Sequence, residues 1–284
     1  MTEARLPRPD SDEVHLWKVA LDFAPMAPTA VLETLSAEEH GHALRFRAEI
    51  DRTRYVVRRW WLRELLSAYV GTDPSELGFI RGPYGKPRLV VPDVGWLRFS
   101  LSHSAGVVAF AVATGREVGV DIEWERRDFP VDQVAWKFFT DDERSRLGRS
   151  SSVERVEAFF ALWTRKEALV KLTGRGLAGS ESSPSKGPLR AEATCAPSLC
   201  LPDVREWSVC GFDAGLGLAA AVAVEGDHCR VPATTRELSL AAMRGRDSAR
   251  ALPTVTRFGW DRVQPTGHRG NQSTGPRPGD VASL

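Results

Sequence analysis

The chain has 284 residues, enough for one large domain or two of ordinary size. Apolar residues make up 42% and charged residues 26%, a mixture that can bury a core. Lys plus Arg total 38 against 37 Asp plus Glu, so the balance argues against duplex DNA or another bulk polyanion as main partner, but not against a small phosphorylated ligand held by a local basic site.

Met1 to Asp10 is polar, without an apolar stretch of signal-peptide length. The longest small-apolar run, Leu216 to Val224, is too short to span a bilayer. A soluble, cytoplasmic protein with no membrane partner is expected. Val14 to Leu21 reads as a strand. Asp51 to Val70 reads as a helix, because Val57, Trp60, Trp61, Leu65 and Tyr69 recur at helical spacing and Gly71 follows as a stop. Leu97, Phe99 and Leu101 form one face of a strand over Leu97 to Ser102. A short turn, Ser102-His103-Ser104-Ala105-Gly106, leads to a second strand, Val107 to Ala113, and a third begins near Val118. Glu154 to Leu172 is again helical, and two late strands fall near Glu206 to Phe212 and Leu216 to Val224. The fold class is therefore α+β, in two similar rounds, 1–115 and 116–235, with no sequence repeat that proves duplication. Ser180 to Pro188 is expected to be a flexible loop. Residues 236–284, rich in Arg, Gly, Pro, Ser and Thr, are expected to be a disordered tail, since their apolar content cannot repay the ordering entropy. Cys195, Cys200, Cys210 and Cys229 lack the paired spacing of zinc knuckles, so free thiols are expected.

Four patterns carry chemistry. In Gly119-Val120-Asp121-Ile122-Glu123, side chains two apart share a strand face, so Asp121 and Glu123 project together while Val120 and Ile122 face the core. Taken alone this is an ordinary acidic strand face; the alternative is a pair of carboxylates converging on one hard cation. Trp163, Glu167 and Lys171 form a stripe at i, i+4 steps along the second long helix. Taken alone this is a Glu–Lys pair beside a core Trp. Ser102-His103-Ser104 fits either turn chemistry or a phosphate site, and Tyr84-Gly85-Lys86-Pro87 puts one lysine on a turn. Gly174 to Gly179 matches G-x-G-x-x-G but follows a helix, where the dinucleotide fingerprint must follow a strand.

In this order, Lys86, Ser102-His103-Ser104, Gly119 to Glu123, Phe138-Phe139 with Glu143, and Trp163 to Lys171 resemble the 4′-phosphopantetheinyl transferase superfamily. The resemblance covers roughly residues 14 to 225, and the length points to the larger subtype, typified by the activator of surfactin synthetase. It implies a single-chain pseudo-dimer that is a monomer, with nucleotide contacts in the first half and the catalytic motifs in the second. It implies Mg²⁺ held by Asp121, Glu123 and Glu167, with Glu167 or a water it orients as base and Lys171 stabilising the leaving 3′,5′-ADP. It implies coenzyme A as co-substrate, held by Lys86, Ser102, His103, Thr53 and Arg52 as well as Asp121 and Lys171. The acceptor would be an acyl or peptidyl carrier protein. Basic residues that the larger subtype places before the first long helix fall near Glu39 and His42, with Arg45 and Arg47 as substitutes. The competing readings are an acyl-carrier-protein synthase of primary metabolism, and a non-catalytic module that binds coenzyme A or a carrier protein.

Overall fold

The computed structural model describes residues 6–22, 28–82, 85–174, 207–226 and 236–237. The first half is built on strand β1 (Val14–Ala20), two short helices α1 (Pro28–Glu33) and α2 (Ala37–Ala43), and the long helix α3 (Glu49–Val70). A hairpin of β2 (Gly78–Arg81) and β3 (Pro87–Val90) precedes a second hairpin of β4 (Leu97–Ser104) and β5 (Val107–Thr114). The second half has β6 (Val118–Trp124), α4 (Val131–Phe138), α5 (Asp141–Leu147), the long α6 (Ser152–Thr173), β7 (Trp207–Gly211) and β8 (Leu218–Glu225). Arg236–Glu237, inside the segment expected to be disordered, pairs in parallel with β1 as β9.

Besides the two-stranded β2–β3 hairpin, two larger antiparallel sheets result, ordered β6-β8-β7 in the second half and β4-β5-β1 in the first, to which β9 adds its parallel bridge. Strand alternation tells how they stack. In β5, Val108, Phe110 and Val112 join β1's Trp17 and Val19 against α3. The intervening Ala109, Ala111 and Ala113 turn the other way and meet Val118, Val120 and Ile122 of β6 and Val222 and Val224 of β8. The remaining face of β8, Ala219, Ala221 and Ala223, packs under α6 with Phe159, Trp163 and Leu169. The order of layers is thus α3, sheet, sheet, α6, with both sheets buried on both faces. This explains why the strand residues read as near-continuous apolar runs. The expected α+β class in two halves, each a helix on an antiparallel sheet, is what the chain adopts.

Both long helices match their expected spans to within two residues at each end. Expected tight turn 102–106 is shorter than its sequence suggested: β4 continues through Ser104, and only Ala105 (φ 48°) and Gly106 (φ 78°) make the turn. Two consecutive positive φ values match the hairpin twist. The last strand starts at Leu218 rather than Leu216, because Gly217 (φ 72°) turns the chain and Leu216 is fully exposed. Helices α2 and α5 carried readable signals, since Ser36 with Glu39 and Thr140 with Glu143 both close capping boxes. Loop 180–188, three of the four cysteines and the tail after residue 237 lie outside the described residues; Cys210 is buried.

Candidate active site

The two sheets meet along a seam between β4 and β6. Three alternate serines on β4 stitch it. Ser100 Oγ accepts from the Val120 amide (3.1 Å), Ser102 Oγ donates to Asp121 Oδ1 (2.8 Å), and Ser104 Oγ donates to Glu123 Oε2 (3.0 Å) while accepting from the Trp124 amide (3.0 Å). The carboxylates of β6 are therefore held by the other half of the molecule. Opposite them lies α6, which approaches β6 at Gly119. A Cβ there would sit 2.0 Å from the Ala168 carbonyl oxygen and 2.4 Å from the Leu172 amide nitrogen. Glycine at this point is what lets backbone meet backbone and brings α6 side chains over the strand.

The stripe on α6 is fixed from outside the cluster as well. Trp163 is buried edge-on against Phe138. Lys166, beside Glu167, makes a fully buried ion pair with Glu143 (2.9 Å). Lys171 then reaches Ser102 Oγ (2.6 Å) and Asp121 Oδ1 (2.8 Å). Asp121, Glu123, Glu167, Lys171 and Ser102 thus lie within one cluster.

The electrostatics of this cluster are strained toward the neutral form. Burial, then the charges of Asp121 and Glu123, push Glu167 up to about 8 against the pull of Lys171. Burial and Asp121 push Glu123 up to about 7, with Ser104 and Lys171 opposing. Burial pushes Asp121 up despite its bonds to Lys171 and Ser102. Three carboxylates face one ammonium, with Arg126 acting on Glu123 besides, so the fully ionised cluster is short of positive charge. Asp121 Oδ2 and Glu167 Oε1 are buried with no hydrogen-bond partner, an expensive state for a carboxylate oxygen. Among the described residues, no three His, Cys, Asp or Glu side chains are already gathered at metal-ligand spacing. The donor set is nonetheless all carboxylate oxygen, the chemistry that suits a hard divalent cation.

The other expected contacts fall elsewhere. His103 is exposed, one residue on from Ser102 and hence on the opposite face of β4. Arg52 and Thr53 are half-buried near the start of α3. Arg54 of the same turn holds Asp22 in a two-bonded ion pair (2.7 and 3.2 Å) beside Gly106, which brings this end of α3 to the β4–β5 turn. Lys86 does not reach the carboxylate cluster: its ammonium bonds Glu117 (2.7 Å) and the carbonyls of Val118 and Leu172 (3.0 Å each). Glu39 is buried between Arg59 (2.5 Å) and Arg63 (2.8 Å); burial raises its carboxyl, but Arg59, the Ser36 amide and Arg63 outweigh that and hold it low. His42 stacks on Tyr55 (4.7 Å), and burial with Arg45, Arg81, Arg58 and Arg59 lowers its imidazole. Positive charge near His42 thus comes from several arginines, of which only Arg45 stood out as a substitute. Ser100 and Glu117 were not singled out in the sequence, and Ser104 only within the Ser102-His103-Ser104 pattern, although serine at every second position of β4 was a visible signal.

Comparison with known proteins agrees with this geometry. A family described as the 4′-phosphopantetheinyl transferase superfamily matches residues 117–214, and one described as 4′-phosphopantetheinyl transferase, N-terminal, matches residues 25–115. The chain is similar to the 4′-phosphopantetheinyl transferase HetI of Nostoc sp., 33% identical over 228 residues, covering 78% of this chain and 93% of the relative. It is also similar to the 4′-phosphopantetheinyl transferase Sfp of Bacillus subtilis, 31% identical over 144 residues, covering 50% of this chain and 62% of the relative. The 4′-phosphopantetheinyl transferase AcpT of Salmonella typhimurium is 34% identical over 121 residues, covering 42% and 60%. No helix among the described residues is long and apolar enough to cross a membrane.

Proposed function

The chain belongs to the 4′-phosphopantetheinyl transferase superfamily, and on that premise we propose that it moves the phosphopantetheine arm of coenzyme A to a serine hydroxyl of an acyl or peptidyl carrier protein. The observation that carries this reading is the convergence of Asp121, Glu123 and Glu167 beside Lys171, with two carboxylate oxygens buried and unpartnered. A module that only binds coenzyme A or a carrier has no need of a buried carboxylate with a pKa pushed to about 8.

Asp121, Glu123 and Glu167 would hold Mg²⁺, which supplies charge neutralisation for the pyrophosphate of coenzyme A. The residues of the chain do the rest. Glu167 takes the proton from the carrier serine, directly or through a water. The serine oxygen forms a bond to the phosphorus that bears the pantetheine arm, and the bond from that phosphorus to the oxygen of 3′,5′-ADP breaks. Lys171 faces the charge that develops on the leaving group. Ser102 and Ser104 keep Asp121 and Glu123 aimed, and burial under α6 excludes competing water. Coenzyme A is proposed to lie between the halves, with Ser102, His103, Arg52 and Thr53 contributed by the first. The protein acts in this reading as a monomer.

Asp121→Asn tests the metal assignment separately from the base. The substitution preserves shape but leaves one fewer charge for the cation. Transfer at low Mg²⁺ should fall by roughly 10²-fold, and excess Mg²⁺ should recover part of it. A loss that no concentration of Mg²⁺ relieves would count against Asp121 as a ligand.

A further inference from the structure

Lys86 is engaged in a way that excludes it from the role its sequence position suggests. A lysine ammonium has three donors and no more. Here all three are used, on Glu117 Oε2 (2.7 Å), the Val118 carbonyl (3.0 Å) and the Leu172 carbonyl (3.0 Å). These acceptors belong to two different parts of the molecule. Glu117 immediately precedes β6 and Val118 opens it, just after the link between the halves. Leu172 lies in the last turn of α6, where carbonyls have no partner within the helix. A cation there also complements the negative end of the helix. Lys86 itself enters from the β2–β3 hairpin of the first half, and its stem lies against Gly174, which ends α6 in a left-handed conformation (φ 66°). Glu117 is held in turn by Arg88 (3.0 Å) and Arg98 (3.1 Å), both from the first half.

We infer that Lys86 is a positioning residue: with Glu117 it forms a clamp that ties the first half to the C-terminal turn of α6, and so sets where Lys171 and Glu167 stand over the β6 carboxylates. Lys171 immediately precedes Leu172, so a shift of this turn moves the Lys171 ammonium off Asp121 and Ser102. No donor of Lys86 is left for a phosphate of the coenzyme. This inference rests on the transferase reading for its kinetic arm only.

The two roles predict opposite patterns in two variants. Lys86→Met keeps the apolar stem and removes all three donors; Glu117→Gln keeps the shape and weakens the clamp from its other end. If the clamp positions α6, both variants bind coenzyme A in calorimetry within about threefold of the parent, and both lose turnover at saturating coenzyme by roughly 10- to 100-fold, the cost of a misplaced catalytic group. Both also melt at lower temperature, and the double variant is no worse than the poorer single, because one clamp is broken either way. Coenzyme A affinity that falls about tenfold or more in Lys86→Met but is kept or improved in Glu117→Gln would overturn the inference, since freeing the ammonium would then help a phosphate ligand. So would a folded Lys86→Met protein with parental turnover. Should Lys86→Met fail to fold, Glu117→Gln alone decides by the same two readings. A parent protein that neither binds coenzyme A nor modifies a carrier removes the transferase reading instead, while non-additive melting of the variants would still report the clamp.

Discussion

Glu167→Gln is expected to fold normally and to lose transfer activity by on the order of 10²- to 10³-fold at saturating Mg²⁺. Glutamine is nearly isosteric, so Trp163 and Lys166 on the same helix keep their packing, the latter its pair with Glu143 of α5. What disappears is one charge from the proposed metal shell and the group that takes the serine proton. Both roles sit on one carboxylate, so their costs do not multiply. The same substitution should stabilise the metal-free protein. Burial and the neighbouring carboxylates raise Glu167 from an ordinary 4.5 to about 8. Between those values the folded chain holds a proton that the unfolded chain has lost, so stability falls as pH rises through this window and levels off above it. Removing the carboxyl should flatten that slope and raise stability at pH 8 by on the order of 2 kcal/mol, once water reaching the site is allowed for, or about 4–8 °C in melting temperature. A variant that transfers the arm at the parental rate would return the Trp163–Glu167–Lys171 stripe to an ordinary salt-bridged helix face.

Gly119→Ala is expected to be the most damaging glycine-to-alanine change among the described residues. Its added carbon would overlap the Ala168 carbonyl at 2.0 Å and the Leu172 amide at 2.4 Å. Both obstacles are helix backbone, which cannot swing aside as a side chain can. Helix α6 would have to lift from β6, opening the packing of Leu169 and Leu172 on the sheet and separating Lys171 from Asp121. Overpacking of a tight core costs about 1–3 kcal/mol where side chains can adjust, so about 3 kcal/mol or more is expected here. Chemical denaturation should show a lower midpoint, and any folded fraction should transfer slowly. An unchanged midpoint would mean that the strand and helix lie further apart than described.

The motif residues that meet were legible because their spacing alone sets a face: two apart on β6, four apart on α6. Long helices α3 and α6 were legible for the same reason, with buried Trp60 and Trp163 in their apolar stripes. The seam was not. Ser100, Ser102 and Ser104 bond across two sheets without a backbone ladder, and no local periodicity announces the partner strand. Lys86 was legible as one lysine on a turn, but its bonds to Glu117, Val118 and Leu172 were not, because its destination depends on where a hairpin from one half meets a helix end from the other. Glu39 looked like a lost cation, yet it is held by Arg59 and Arg63, about three and four turns into α3. Gly119 sat inside a recognised motif, but its reason is a backbone contact with residues some fifty positions later, which only the fold reveals.

The central claim is that the carboxylates of β6 and α6, with Lys171, transfer the arm of coenzyme A. The most direct test is the intact mass of an apo carrier protein after incubation with this protein, coenzyme A and Mg²⁺. The account predicts a gain equal to one phosphopantetheine arm, lost when the metal is chelated and lost in Glu167→Gln. A carrier that stays at its apo mass, while an active transferase of the same superfamily modifies that same preparation, would contradict it.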